Sequence, residues 1–193
     1  MSNTIEAFNS SGYVVIPNFV DIQSISTISK YLENSLNRGQ LSGSDGMSSY
    51  CKYADPLIEV LLDNHTNTVG EIVGKNLSPT YSYARVYLKS DELNPHIDRP
   101  ACEYSVTVNV ASEGQPWPFF LEDLKGQKRE IIINPSDAVI YKGCEVVHWR
   151  EPMSLTSTTL NVQFMLHYIE TQGKFANYKF DGRSALGLKT VRS

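Results

Sequence analysis

"TYSYARVYL", residues 80–88, opens the part of the chain whose texture decides the fold. It is rich in aromatic and β-branched residues, and segments of the same kind follow it: "YSVTVNVA" (104–111), "PFFLE" (118–122), "REIIIN" (129–134), "AVIYK" (138–142), "EVVHWR" (145–150) and "TTLNVQFMLHYIE" (158–170). Turn signals such as "ELNP", "SEGQP", "NPSD" and "KGC" separate most of them. Many short strands without intervening helices predict a β-sandwich, jelly roll or barrel.

The texture before residue 79 differs. Residues 4–10 suit a short helix, and "GYVVIPNF" (12–19) reads as a strand. Asp21 is placed to cap a helix over 22–37, where Ile22, Ile25, Ile28, Leu32 and Leu36 recur at helical spacing. The Gly- and Ser-rich stretch 39–50 reads as a loop that could serve as a lid, and "ADPLIEVLLDNHTNTVGEIVG" as one or two helices. The expected layout is one domain over 1–193: helical support over about 1–78, a β core over about 79–170, and a tail over 171–193. That tail carries five Lys/Arg against one acid, Asp181, and suits either a solvated segment or a flap.

The 193 residues suffice for a real core, and 41% hydrophobic with 20% charged is ordinary for a soluble globular protein. A net charge of −4 gives no general attraction to nucleic acid or anionic membrane. Apolar runs such as "III" (131–133) are far too short to span a bilayer. Cys51, Cys102 and Cys144 are odd in number and widely spaced, fitting neither a disulfide framework nor a zinc pattern. With no basic-then-apolar start to the chain, a reducing cytoplasm is the expected location. Oligomeric state is not legible.

Chemistry is suggested by "NPHIDRP" (94–100). On a strand, His96 and Asp98 share a face, with Ile97 on the other. A third metal ligand has three candidates. His148, in "CEVVHWREP", lies inside the β-rich region with several strands between it and Asp98. His65 lies in a helical stretch, and His167 on the last strand suits packing or support of a ligand. Two histidines and a carboxylate form the facial triad of non-haem Fe(II) oxygenases. The plain alternative is that a short His-x-Asp is a pair of ordinary surface residues.

The sequence resembles the Fe(II)/2-oxoglutarate-dependent dioxygenases of the double-stranded β-helix (jelly-roll) fold. "GYVVIPNFV" (12–20) is similar to the opening strand of the phytanoyl-CoA dioxygenase-like group. "ARVYLKSDELNPHID" (84–98) resembles the tyrosine-then-HxD approach of prolyl-hydroxylase-like members, and "NPSDAVIYKGCEVVHWREP" (134–152) the approach to their distal histidine. The resemblance implies a mainly β fold with N-terminal helices, and Fe(II) held by His96, Asp98 and His148. It also implies 2-oxoglutarate and O2 as co-substrates, with ascorbate supporting, and the presence of Asp98 implies hydroxylation, or another oxidation without halide, rather than halogenation.

One feature departs from the family. An Arg or Lys usually follows the distal histidine by about ten residues to hold the far carboxylate of 2-oxoglutarate, but "SLTSTTLN" (154–161) has none. Arg150 is the leading substitute, since it should share His148's face, with a salt bridge to Glu151 as the alternative use. Tyr87 could donate to the same carboxylate or be a core tyrosine, and Asn109 and Asn161 are weaker candidates. Arg99, next to the metal pair, could hold an anionic group of the substrate or simply stack on Tyr104 or Trp117. The expected substrate is a small molecule such as an amino acid or natural-product intermediate, with a peptide residue second. A cupin-like metal enzyme that needs no 2-oxo acid and a non-catalytic β-sandwich binding domain remain as other classes.

Overall fold

The computed structural model describes residues 2–43, 49–153 and 158–187; most of the possible lid loop's centre, the start of "SLTSTTLN" and the end of the tail lie outside these. The chain runs α1 (Ser2–Ser11), β1 (Tyr13–Ile16), α2 (Ile22–Asn37), β2 (Ser42–Gly43), β3 (Tyr50–Tyr53), α3 (Pro56–Val73), β4 (Leu77–Leu88), β5 (Leu93–His96), β6 (Tyr104–Gly114), β7 (Phe119–Glu122), β8 (Lys128–Ile131), β9 (Ala138–Tyr141), β10 (His148–Arg150) and β11 (Thr158–Glu170). Two antiparallel sheets result. The larger has the order β1-β9-β6-β11-β4-β3-β2, and the smaller β5-β10-β7-β8. This is the expected mainly β jelly roll with N-terminal helices.

Local chemistry explains the helices. Asp21 caps α2 by accepting from the backbone N–H of Gln23 and Ser24 at 3.1 and 2.9 Å. Ile25, Ile28 and Leu32 form its buried stripe, while Ile22, in the first turn, stays 65% exposed. A single helix, α3, spans the stretch that could have been two. Asp55 caps it from Leu57 and Ile58 N–H, Pro56 occupies its first turn, and Gly74 ends it at φ +72°, a left-handed conformation that a Cβ disfavours.

Period-two alternation then places the core. Val106, Val108 and Val110 of β6, Val162, Phe164 and Leu166 of β11, and Ala84 and Val86 of β4 pack with Phe8, Ile28, Leu32, Ile58 and Leu62. Each such buried Leu, Ile or Val contributes about 1.5–3 kcal/mol of transfer free energy. Their sequence neighbours point to the other face, between the sheets. A second apolar cluster there includes Phe119, Leu121, Val139, Tyr141 and Val146.

The layout expected from sequence is crossed in two places. Strands within 1–78 join the large sheet, β1 pairing with β9 and β3 with β4. Up to residue 187 the C-terminal segment docks rather than floats. Arg183 is 7% exposed and donates to Glu59 Oε1 of α3 at 2.5 Å and to the Thr80 carbonyl at 2.9 Å. No helix among the described residues is long and apolar enough to cross a membrane.

Removing one partner of a buried ion pair strands the other charge. Glu59→Ala is therefore expected to destabilise the fold by about 3–5 kcal/mol in denaturant unfolding, with the segment after Glu170 becoming sensitive to proteolysis first. A loss under about 1 kcal/mol would show that the pair only rests on the surface of the fold.

Candidate metal centre

The smaller sheet brings the two nearest histidines together. β5 and β10 are antiparallel with His148 opposite His96, so their rings stand side by side with centroids 4.3 Å apart. Asp98 follows two residues after His96, just beyond the strand end, and its N–H donates to the Gly143 carbonyl at 2.7 Å. Its Oδ1 lies 3.7 Å from His96 Nε2 and 3.6 Å from His148 Nε2. The donor atoms of the three residues all lie within 4.8 Å of one another.

The outer nitrogens are already committed. His96 Nδ1 donates to the Asn94 carbonyl at 2.8 Å, and His148 Nδ1 to the Val146 carbonyl at 3.0 Å. Both bonds select the tautomer whose Nε2 carries a lone pair facing Asp98. Burial, and then the neighbouring His148, hold the His96 pKa below its ordinary value, which keeps it neutral. Burial opposes ionisation of Asp98, yet the polar groups around it, the His148 ring first and the Ser105 hydroxyl among them, prevail and hold its carboxyl below the usual range. Two imidazole nitrogens and one carboxylate, converging on a common point, fit a divalent transition metal, and this donor set is that of the Fe(II) facial triad.

Beside the three donors is a cavity of ≈ 220 Å³. Alternate residues of β4 (Tyr81, Tyr83, Arg85, Tyr87) and of β11 (Gln163, Met165, His167) line it, with Thr107, Phe119 and Tyr141. Arg85 is the one Lys or Arg among the described lining residues. Its guanidinium lies over the rings of Tyr83 and Tyr87, at 5.3 and 5.2 Å from their centroids, and donates to the Tyr87 hydroxyl at 3.3 Å.

Arg150 takes a different place from the one expected. Its backbone register slips relative to His148, and its side chain lies behind the cavity wall. Nη1 donates to the Trp117 carbonyl at 2.5 Å and Nη2 to Gln163 Oε1 at 2.9 Å, while Trp117 stacks against it at 4.6 Å. It is 2% exposed, and burial pushes its pKa down to about 10. No carboxylate of the described residues pairs with it, and Glu151 pairs with Lys128 instead. Arg85 and Arg150 thus flank Gln163, one from the cavity and one from behind.

The remaining candidates divide. Tyr87 is buried and lines the cavity as expected. Asn109 and Asn161 do not line it; Asn109 ties β6 to the segment after β8 by donating to the Ile133 carbonyl at 2.7 Å, and Asn161 ties β11 to β6 by donating to Ser112 Oγ at 2.8 Å. Arg99 does not line the cavity: both its terminal nitrogens donate to Asp181 at 2.8 Å, and it stacks on Tyr81, a lining residue, rather than Tyr104 or Trp117. Tyr53 also donates to Asp181. These bonds hold Phe180 and Asp181 at φ 55° and 56°, which costs a non-glycine residue about 1–2 kcal/mol. His65 stacks on Phe19, on a helix away from the three donors. Arg85 went unnoticed in the sequence although a signal existed: it lies two residues before Tyr87 and must share its face.

No family model matches the chain, and no curated protein matches it. Solved structures do. A prolyl-4-hydroxylase from Pseudomonas putida aligns with TM-score 0.73 and 10% identity over 88% of this chain and 98% of that one. HygX from Streptomyces hygroscopicus, solved with nickel and 2-oxoglutarate, aligns with TM-score 0.70 and 13% identity over 89% and 88%; it has also been solved with hygromycin B bound. A member of the 2OG-Fe(II) oxygenase family from Burkholderia pseudomallei aligns with TM-score 0.69 and 13% identity over 86% and 88%. At such identities the likeness establishes a shared fold.

Under anaerobic conditions His96→Ala, Asp98→Ala and His148→Ala are each expected to lose stoichiometric Fe(II) binding while keeping the parent's circular dichroism. His65→Ala should bind as the parent does. Full occupancy in any of the first three, measured by equilibrium dialysis and metal analysis, would remove that residue from the donor set.

Proposed function

We propose that this chain, which has the jelly-roll fold of the 2OG-Fe(II) oxygenases, is a non-haem Fe(II)- and 2-oxoglutarate-dependent oxygenase that hydroxylates a C–H bond of a small metabolite. The observation that carries this reading is the convergence of His96 Nε2, His148 Nε2 and Asp98 Oδ1 beside a cavity with a guanidinium in its wall. Bound there, Fe(II) with 2-oxoglutarate and O2 would supply the oxidation of an unactivated C–H bond, with succinate and CO2 as by-products.

The chain's own residues divide the work. His96, Asp98 and His148 would hold the metal, with the cavity beside them for co-substrates. Arg85, with the Tyr87 hydroxyl beside it, takes the far carboxylate of 2-oxoglutarate, since a guanidinium fork matches a carboxylate. Arg150 holds Gln163 in place and adds a second positive charge that no carboxylate of the described residues pairs, which favours an anion at that end. Phe119, Met165 and Leu93 exclude water from the reacting centre. The modest cavity, and the likeness to a protein solved with hygromycin B, support a small natural-product or amino-acid substrate. We place the protein in the cytoplasm, because three free thiols at wide spacing suit a reducing compartment.

Protein loaded with Fe(II) is expected to release succinate from 2-oxoglutarate when oxygen is admitted, with ascorbate keeping the iron reduced, and faster with the right member of a metabolite library. No succinate above an iron-free control would sink the proposal. Arg85→Ala should raise the 2-oxoglutarate requirement about 30-fold, the low end of about 2–5 kcal/mol for a truncated charge partner because Arg85 is only half-buried. Arg150→Met should raise it less; the reverse order would give the anchoring role to Arg150.

A further inference from the structure

Asp98 has two carboxylate oxygens, and only Oδ1 faces the histidines. Oδ2 accepts a hydrogen bond from Ser105 Oγ at 2.7 Å, and Ser105 Oγ lies 3.0 Å from His167 Nδ1. Ser105 is fully buried and His167 is 5% exposed. We propose that Ser105 and His167 form a buried hydrogen-bond relay that positions Asp98 as a one-oxygen metal ligand. The inference deepens the Fe(II) reading of the same site and rests on it.

Proton counting sets the direction of the relay. A serine hydroxyl has one proton. Its bond to the charged carboxylate is short, whereas the Cys102 carbonyl, its other acceptor, is 3.4 Å away. The proton therefore goes to Asp98, which as a carboxylate has none to return. Ser105 Oγ must then accept from His167, so His167 carries its proton on Nδ1. The chain reads His167 Nδ1–H to Ser105 Oγ–H to Asp98 Oδ2, each donor strengthening the next.

The surroundings hold this chain in place. His167 is stacked on Tyr81 at 4.5 Å, and Thr80 Oγ1 donates to its carbonyl at 2.9 Å. Bare backbone closes the other side. A Cβ on Gly143 would lie 2.5 Å from Asp98 Oδ2 and 2.8 Å from Ser105 Oγ, so no side chain fits there. The consequence is coordinative. With Oδ2 engaged by Ser105, Asp98 would offer a bound metal one oxygen rather than two.

Anaerobic titration with Co(II), followed by visible absorption and calorimetry, tests the relay without turnover. The parent should bind one equivalent. Ser105→Ala and His167→Phe should bind about 10–100-fold more weakly, as expected when a ligand loses its outer partner, with altered Co(II) bands and retained circular dichroism. His167→Asn, which keeps an N–H near the Nδ1 position, should recover most of the affinity, whereas His167→Gln should not. Unchanged affinity and bands in Ser105→Ala and His167→Phe would overturn the relay alone. A parent that binds no Co(II) would overturn the Fe(II) reading and the relay with it. Asp98, Cys102 and His167 also lie within 4.8 Å of one another. A second equivalent of Co(II), lost in Cys102→Ser, would overturn the relay in favour of a second metal site.

Discussion

In the three neighbouring strands β6, β11 and β4, each side chain must take the opposite face from the next. The rest of the structure follows from that constraint. Val106, Val108, Phe164, Leu166 and Val86 go to the helices, where apolar burial holds the fold together. Ser105, Thr107, Gln163, Met165, His167, Arg85 and Tyr87 are thereby delivered to the opposite face, where the candidate site lies. A one-residue slip in any of these strands would exchange the two sets, placing Arg85 and His167 in the apolar layer. The drive to bury valine and phenylalanine thus also aims the polar groups.

The donors themselves come from the other sheet. Antiparallel pairing of β5 with β10 sets His96 beside His148, and a hydrogen bond from the Asp98 backbone to Gly143 turns the carboxylate toward both rings. The candidate site therefore sits at the seam between sheets, with the three candidate donors on one wall and Arg85, Tyr87, Gln163 and His167 on the other. This division separates two tasks. The smaller sheet sets the donor geometry, and the larger one sets what approaches it. Arg150 bridges them, since it belongs to β10 but holds Gln163 of β11.

The C-terminal segment adds a constraint beside Tyr81 of the cavity wall. Arg183 is buried against Glu59, and two residues earlier Asp181 engages Arg99 and Tyr53. The same few residues thus tie the chain end to α3, to the segment after the metal pair and to β3. Arg99 is held as part of this strap, so its guanidinium already meets a carboxylate supplied by the protein itself.

The sequence by itself determined the element types and where along the strands the candidate donors fall. Capping by Asp21, the stripe on α2 and the β-rich segments are local signals, and α2 and β11 emerge with the boundaries read from them. His96 and Asp98 could be paired because i and i+2 is also a local relation, and His148 because it follows in the same β-rich run. What the tertiary structure decided is which distant groups meet. Arg150 was expected in the cavity and lies behind it, because a register shift on a three-residue strand is invisible to alternation. Arg99 was expected to hold an anionic substrate group or to stack on Tyr104 or Trp117, and is met by Asp181, eighty-two positions away. Ser105 and His167 meet Asp98 only through strand pairing and the turn that carries Gly143. Side-chain direction along one strand is a property of neighbouring residues, whereas partners across strands depend on closure of the whole sheet.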